Sequence, residues 1–205
     1  MTAVVDTSAE ESSGGRLQRR KARTRAAILS AASDLFQENG YENTSIQQMA
    51  ERADTGVGTL YGYFRSKEDI LREVLRQHSV EAVQRYRGAI DETTPAIERI
   101  CAALHVLQVY FRENRTILRA AFSVGIHEGE SEGQPESWLY RAWRQMLQEG
   151  MDSGELRQLP VDTTVRSLLT VYTSAFLGFG HFRGRRDNPE LARDLETFTR
   201  ALLTP

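Results

Sequence analysis

Between Thr44 and Phe64 the apolar side chains fall into two short stripes at helical spacing: Ile46, Met49, Ala50 and Ala53, then, after a brief break, Val57, Leu60, Tyr61 and Phe64. Ahead of them Ile28, Ala31, Ala32, Leu35 and Phe36 make a longer stripe at i, i+3, i+4, i+7 and i+8, and Gly40 is placed to stop that helix. Thr44 with Gln47 has the spacing of a capping box, in which side chains satisfy the free N–H groups at a helix start. The pattern predicts three helices, the second short and the third shorter. Periodicity alone fits a plain three-helix bundle as well as a helix-turn-helix, so the residues left outside the core must decide.

The helical period continues through the chain. Ser66 and Asp69 make a second capping pair, opening a long helix through Ile70, Leu71, Val74 and Leu75 toward Tyr86 that reads as a connector. Pro95 suits a helix start, and Ile97, Ile100, Leu104, Leu107 and Phe111 follow as a stripe. A shorter helix is expected from Ile117 to Ile126, then a surface loop from Glu128 to Pro135. Trp138 or Leu139, then Ala142, Trp143, Met146, Leu147 and Gly150 mark a further helix ended near Gly154. A helix over Thr163 to Phe182 follows Pro160, and Leu191, Leu195, Phe198 and Leu202 mark the last. No stretch sustains the period-two alternation of a strand, and no internal repeat is seen.

The expected fold is all-α with about nine helices: an N-terminal three-helix domain, joined by a long helix to a C-terminal helical domain. The expected boundaries are a disordered tail of small polar residues over 1–15, the three-helix domain with a basic N-terminal arm over 16–66, and the second helical domain over 67–205.

The net charge of −2 hides a local asymmetry. Residues 16–76 carry eleven Lys/Arg against eight Asp/Glu, and Arg16, Arg19, Arg20, Lys21, Arg23 and Arg25 put six cations into ten residues. Cys101 is the single cysteine, which excludes an intrachain disulfide and any CxxC metal or redox pair. The start of the chain lacks the basic and apolar segments of a secretory signal, and no apolar run reaches membrane-spanning length. A cytoplasmic protein is expected, with no membrane partner.

With Val57, Leu60 and Phe64 turned inward, Gly58, Thr59 and Gly62 occupy the outer face of the third helix and the hydroxyls of Tyr61 and Tyr63 lie near its edges. That surface is small and flat enough to approach a duplex. The major groove admits an α-helix and shows a distinct donor, acceptor and methyl pattern for each base pair. Hydroxyls of Thr44, Ser45, Thr59 and Tyr63, the Lys67 ammonium and free N–H groups at helix starts are suitable phosphate donors. The basic run around Arg19, Arg20 and Lys21 reads either as solvated surface or as an arm that follows phosphates or enters the minor groove; its place beside the helix-turn-helix favours the arm.

The stretch LFQENGYENTSIQQMAERADTGVGTLYGYFRSKEDIL, Leu35 to Leu71, resembles the DNA-binding domain of the TetR (tetracycline repressor) family of one-component bacterial transcription regulators. The run GTLYGYFRSKEDIL joins a recognition helix, an aromatic pair and a capped next helix without interruption. The resemblance covers Thr24 to about Leu75; beyond that it is one of length and helical content. It implies that Thr44 and Ser45 meet phosphate, that Gln47 reaches toward a base edge, that Val57, Gly58 and Tyr61 face the bases, and that Thr59, Tyr63 and Lys67 lie on the backbone, with Leu60 and Phe64 in the core. The turn departs from the family's usual Gly-Val-Ser: Asp54, Thr55 and Gly56 stand there, and Asp54 can take the left-handed conformation in place of Gly.

The second half of the chain is crowded with aromatics, among them Tyr110, Phe111, Phe122, Trp138, Trp143, Tyr172, Phe176, Phe179 and Phe182. Core packing accounts for any one of them, and their number leaves room for an apolar pocket between helices. The polar candidates for it are His105, Gln108, Arg119, His127, Arg141 and Gln145. The resemblance implies that residues 16–66 are a helix-turn-helix DNA-binding domain and residues 67–205 a helical ligand-binding, regulatory and dimerisation domain, with a small-molecule effector and a homodimer bound to a two-fold-related double-stranded operator, most often as a repressor. Ser174, Gly178 and Gly180 would allow close approach at a dimer interface, beside an apolar face of Leu195, Phe198 and Leu202. Scattered histidines, one cysteine and the lack of HExxH, GxSxG, Walker or GxGxxG motifs point away from an enzyme, and no catalytic residue, metal site or cofactor is assigned. The alternative is a DNA-binding or protein-docking helical protein of the same fold with no small-molecule effector.

Overall fold

The computed structural model describes residues 8–89, 93–126, 138–180 and 189–205. Among these the chain forms nine α-helices and no strand: α1 (Ser8–Asn39), α2 (Ile46–Arg52), α3 (Val57–Tyr61), α4 (Lys67–Ala89), α5 (Ala96–Glu113), α6 (Arg115–Ser123), α7 (Trp138–Asp152), α8 (Val161–Leu177) and α9 (Pro189–Leu203). They fall into two compact units, residues 1–74 and 75–205, and α4 contributes its first eight residues to the former and the rest to the latter. No helix among the described residues is long and apolar enough to cross a membrane.

The first unit closes around Ile28, Leu29, Ala32, Leu35 and Phe36 of α1, Met49 of α2, Leu60 of α3, Phe64, and Ile70, Leu71 and Val74 of α4, all buried. The buried members of the stripes read from the sequence thus share one interior, while Ile46, Ala53 and Val57 are half-buried and Tyr61 is exposed. Two expectations are corrected here. Helix α1 takes in residues 8–15, which the composition marks as disordered. The basic run is accordingly a stretch of α1 itself and not an irregular arm ahead of it.

The second correction concerns the cap of α2. Its N-cap is Ser45: the Ser45 hydroxyl accepts from the Gln48 N–H at 3.2 Å, and the Gln48 side chain accepts from the Ser45 N–H at 2.7 Å. Thr44, one residue earlier, is buried and donates its hydroxyl to the Gly40 carbonyl at 2.8 Å and the Leu35 carbonyl at 3.1 Å, closing the end of α1. Both pairs have the same spacing; the Leu35 and Gly40 carbonyls at the end of α1 claim the Thr44 hydroxyl.

In the second unit α5 packs against α6, α7, α8 and α9. Pro95 is its N-cap, as its fixed φ suits, and the first free amide, Ala96 N–H, is satisfied from a distance by the Glu155 carboxylate at 2.7 Å. Arg200 of α9 holds Glu98 of α5 through two parallel bonds of 2.7 and 2.8 Å. Behind it the buried Tyr172 hydroxyl lies 2.8 Å from the Leu195 carbonyl and 2.7 Å from the Thr199 hydroxyl, joining α8 to α9. Helix α8 stops at Leu177, five residues short of the expected Phe182, because Gly178 takes the left-handed conformation at φ 71° and returns its N–H to the Ser174 carbonyl. Residues 127–137 and 181–188, with the expected loop Glu128 to Pro135, His127 and Phe182, lie outside the described residues.

Candidate nucleic-acid interface and helical cavity

The turn between α2 and α3 sets the geometry of the first unit's exposed face. Asp54 has φ 48°, the one positive φ at a residue other than Gly among those described. Thr55 N–H reaches back to the Ala50 carbonyl at 2.9 Å and Asp54 N–H to the Glu51 carbonyl at 3.2 Å, the paired bonds of a Schellman motif. Asp tolerates this conformation better than most side chains, so the departure from Gly keeps the turn.

Helix α3 turns Leu60 fully inward and leaves Gly58, Thr59 and Tyr61 outside, with Tyr61 53% exposed. Val57 at its start is half-buried, as is Tyr63 just beyond its end. Gln47 on α2 is exposed and Ser45 is half-buried with its hydroxyl engaged in the cap. A Cβ built on Gly58 meets nothing within 4 Å, so its lack of a side chain answers no need of the fold. Thr44 is not brought to this face: its hydroxyl is spent inside the unit.

The start of α4 is held by its own cap and by an aromatic shelf. Ser66 Oγ accepts from the Asp69 N–H at 3.1 Å, and the Asp69 carboxylate accepts from the Arg65 N–H at 3.1 Å. Lys67 Nζ sits 4.1 Å from the centre of the Tyr41 ring, and the Tyr41 hydroxyl donates to Glu68 Oε1 at 3.0 Å. The Glu68 carboxyl is held below its usual range by its own helix-start N–H, then by the hydroxyls of Ser66 and Tyr41, while burial drives the Tyr41 phenol well up. Half-buried Lys67 is thus held over the Tyr41 ring.

On α1, Arg16, Arg19, Arg20 and Arg23 fall at i, i+3, i+4 and i+7, one face of the helix. Arg19, Arg20, Lys21 and Arg23 are exposed and make no ion pair among the described residues. Arg25, one turn further, is different: it pairs with Glu73 at 2.9 Å and lies over the Phe64 ring, so it belongs to the packing of the unit. Exposed Arg65, between α3 and α4, was passed over in the sequence although it stands inside the quoted GTLYGYFRSKEDIL run.

The second unit holds a cavity of about 350 Å³ between three helices. Its walls are Ser79, Ala82, Val83, Tyr86 and Arg87 of α4, Ala103, Val106, Leu107 and Tyr110 of α5, and Leu139, Ala142, Trp143, Gln145, Met146 and Glu149 of α7. The Ser79 hydroxyl donates to the Leu75 carbonyl at 2.9 Å and lies 3.4 Å from the Tyr110 hydroxyl. The Tyr86 hydroxyl donates to Met146 Sδ at 3.0 Å, and burial raises its phenol. Of the polar residues expected to line a pocket, Gln145 does. Arg119 instead donates to the Leu177 carbonyl at 3.0 Å and covers the Phe179 ring, and exposed His105 and Arg141 and half-buried Gln108 are not on this wall. Among the aromatics, Tyr110 and Trp143 reach the cavity, whereas Phe111, Tyr172 and Phe176 pack on one another in the core.

The expected interface residues separate as well. Gly178 and Gly180 have positive φ and end α8 instead of lining it, and Leu195 is buried inside the unit. Phe198 of α9 remains 51% exposed.

Residues 28–74 match the profile described as "Bacterial regulatory proteins, tetR family". Over 80 residues the chain is 39% identical to the HTH-type transcriptional regulator HbdR of Aromatoleum sp. (strain CIB); the match spans 39% of this chain and 35% of that relative, about a third of its length. A longer match, 26% identity over 153 residues, links it to the HTH-type transcriptional repressor KstR2 of Mycolicibacterium smegmatis and covers 69% of this chain and 72% of that one. Among solved structures, a transcriptional regulator from Saccharomonospora viridis in complex with choline superimposes with a TM-score of 0.70 at 20% identity, over 90% of this chain and 99% of that one. At that identity the likeness is one of fold.

Proposed function

Since the chain belongs, through residues 28–74, to the tetR family of bacterial regulatory proteins, we propose that it is a ligand-responsive transcriptional repressor that binds a two-fold-related operator as a homodimer. The observation that carries the reading is the exposed face of α3, where Gly58, Thr59 and Tyr61 stand clear of the core. In this reading Val57, Gly58 and Tyr61 meet base edges, Gln47 reaches toward the groove, and Ser45, Thr59, Tyr63 and Lys67 hold phosphates. The cavity of the second unit takes the effector. Five of its lining residues are on α4, which also supplies Ile70, Leu71 and Val74 to the core of the first unit, so a ligand that favours one arrangement of α4 acts on both. It must bind that arrangement more tightly to shift the equilibrium. The protein would work in the cytoplasm, where its DNA is.

Selection of bound fragments from random DNA, followed by footprinting, tests the whole reading. Enrichment of a two-fold-related site supports it, and a pool that never departs from random sequence rejects it.

The basic face of α1 has its own expected result. A helix with side chains is about 10–12 Å across, too wide for a minor groove of about 6 Å, so Arg19, Arg20 and Lys21 follow phosphates along its rim. Replacing all three with Gln is expected to weaken binding to every sequence alike. The slope of log K against log salt should flatten by roughly 0.9 for each phosphate that is no longer neutralised. A slope equal to that of the parent would remove α1 from the interface.

Dimerisation through α8 and α9 is proposed from Phe198. A half-exposed aromatic on a terminal helix is placed to be covered, and in a two-fold interface each substitution counts twice. Phe198→Asp is expected to weaken self-association at least about tenfold, since burial of such a ring contributes roughly 1.5–3 kcal/mol. Sedimentation velocity at micromolar concentration would show the shift to monomer, with the helical circular dichroism unchanged. A dimer of undiminished strength would place the interface elsewhere.

A further inference from the structure

We infer that the cavity between α4, α5 and α7 takes an amphipathic carboxylate, its apolar body among the aliphatic and aromatic walls and its anionic head at Arg87. The inference rests on the proposal that this cavity is the effector site, and adds the charge and polarity of the ligand.

The argument begins with the two charged residues on the wall, Arg87 and Glu149. Glu149 is already matched: its carboxylate lies 3.5 Å from the Arg99 guanidinium and accepts from the Gln145 amide at 2.9 Å. Arg87 is exposed and makes no ion pair among the described residues. The charge left to the cavity is therefore positive. Arg87 also lines a smaller groove of about 230 Å³ on the outer side of α4, together with Val80, Val83 and Gln84. Its side chain accordingly stands at the opening, where a bound anion keeps part of its hydration and the cost of removing a charge from water is small.

The interior favours an apolar body. Ala82, Ala103, Val106, Leu107 and Trp143 supply hydrocarbon and ring surface. The polar groups at that depth are engaged with protein partners: Ser79 with the Leu75 carbonyl and near Tyr110, Tyr86 with Met146. A second polar head at that end would have to displace those bonds. The volume, near the lower end of the roughly 300–1,000 Å³ typical of small-molecule pockets, suits a chain or ring system of modest size. Tyr86, Tyr110 and Trp143 would also suit a quaternary ammonium, since aromatic rings attract cations. The neutralised Glu149 and the uncompensated Arg87 weigh against it, and a guanidinium fork matches a carboxylate.

Decanoate, 1-decanol and decyltrimethylammonium carry one chain with three heads. Their affinities for the full-length protein, taken from thermal shifts over a concentration series below micelle formation, test the inference. Decanoate is expected to bind at least about tenfold more tightly than decanol, a difference of about 1.4 kcal/mol. Arg87→Gln should bring the two within about threefold and leave decanol unchanged. Ala103→Phe, which fills the cavity, should block all three. Equal affinities, a preference for the ammonium, or a decanoate preference that survives Arg87→Gln would overturn the carboxylate and leave the cavity as the effector site. Failure of all three probes on the parent protein, or undiminished binding to Ala103→Phe, would instead reject the cavity as the site, and the inference with it.

Discussion

Gly58→Glu is expected to leave the fold at least as stable as before and to abolish specific DNA binding. The two effects are separable because Gly58 answers no demand of the first unit: it is exposed, lies within α3, has no positive φ, and a Cβ there meets nothing within 4 Å. Glycine in a helix costs roughly 0.5–1 kcal/mol relative to alanine, so a good helix former such as glutamate or alanine raises the stability of α3 slightly. On DNA the position is the reverse. A carboxylate on the outer face of the reading helix meets phosphates and the acceptor edges of bases, with no proton to offer them. At about 1–3 kcal/mol for each spoiled contact, and with two copies in a dimer, affinity should fall on the order of a hundredfold or more. Gly58→Ala serves as the companion, stable and still binding, because a methyl group adds no charge. Titration of each variant against the selected operator, beside a thermal melt, reads both quantities. Parent-like affinity in the glutamate variant would mean that the outer face of α3 does not read DNA.

Gly150→Val is expected to destabilise the second unit strongly while leaving every polar group in place. A Cβ at Gly150 would lie 2.5 and 2.7 Å from Leu156 Cδ1 and Cγ and 2.8 Å from Ala96 Cβ. The leucine can turn aside in part, but Ala96 cannot. It is the first residue of α5, buried, and fixed through its N–H to Glu155 at 2.7 Å. Glu155 itself is held below the usual carboxylate range by that amide, so separating the two also forfeits a charge-assisted bond. Overpacking of this kind typically costs about 1–3 kcal/mol, and the γ-methyls of valine add to it. A loss of about 3 kcal/mol would lower the melting temperature by roughly 6–12 °C in a chain of this size. Gly88→Ala, at an exposed helical glycine whose Cβ would meet nothing within 4 Å, should be neutral or slightly stabilising in the same melt. Equal melting temperatures for Gly150→Val and the parent would show that α7 and the start of α5 are not in close contact.

How far the sequence could be read depended on whether the deciding interaction was local. The stripes of α1 to α3, the cap at Ser66 and the left-handed Asp54 are settled within a few residues of chain, and each was legible. The cap of α2 was not. Thr44 with Gln47 and Ser45 with Gln48 have equal spacing, and the choice is made nine residues away, where the Leu35 carbonyl takes the Thr44 hydroxyl. That displacement turns an expected phosphate donor into a strut. The end of α8 was misplaced for a different reason: Gly178 looked like a small residue for close packing, while its positive φ makes it a stop. The cavity was the least legible feature. Its walls come from three helices, and the α4 share, including Tyr86 and Arg87, lies in a segment that reads only as a connector.

The brevity of α3 limits how much sequence the protein can recognise by direct contact. Five residues at about 1.5 Å each extend roughly 7.5 Å, about two base-pair steps of roughly 3.4 Å. In the proposed dimer two such readers would specify too few letters to single out one address among the roughly 10⁶–10⁹ competing positions of a genome. Beyond what Gln47 of α2 adds, the missing information would come from the stiffness and groove width of the DNA flanking and separating the half-sites, which set the energy of the fit without base contacts. A recognition code written only in the residues of α3 would therefore be incomplete: much of this regulator's address is spelled in the mechanics of its target.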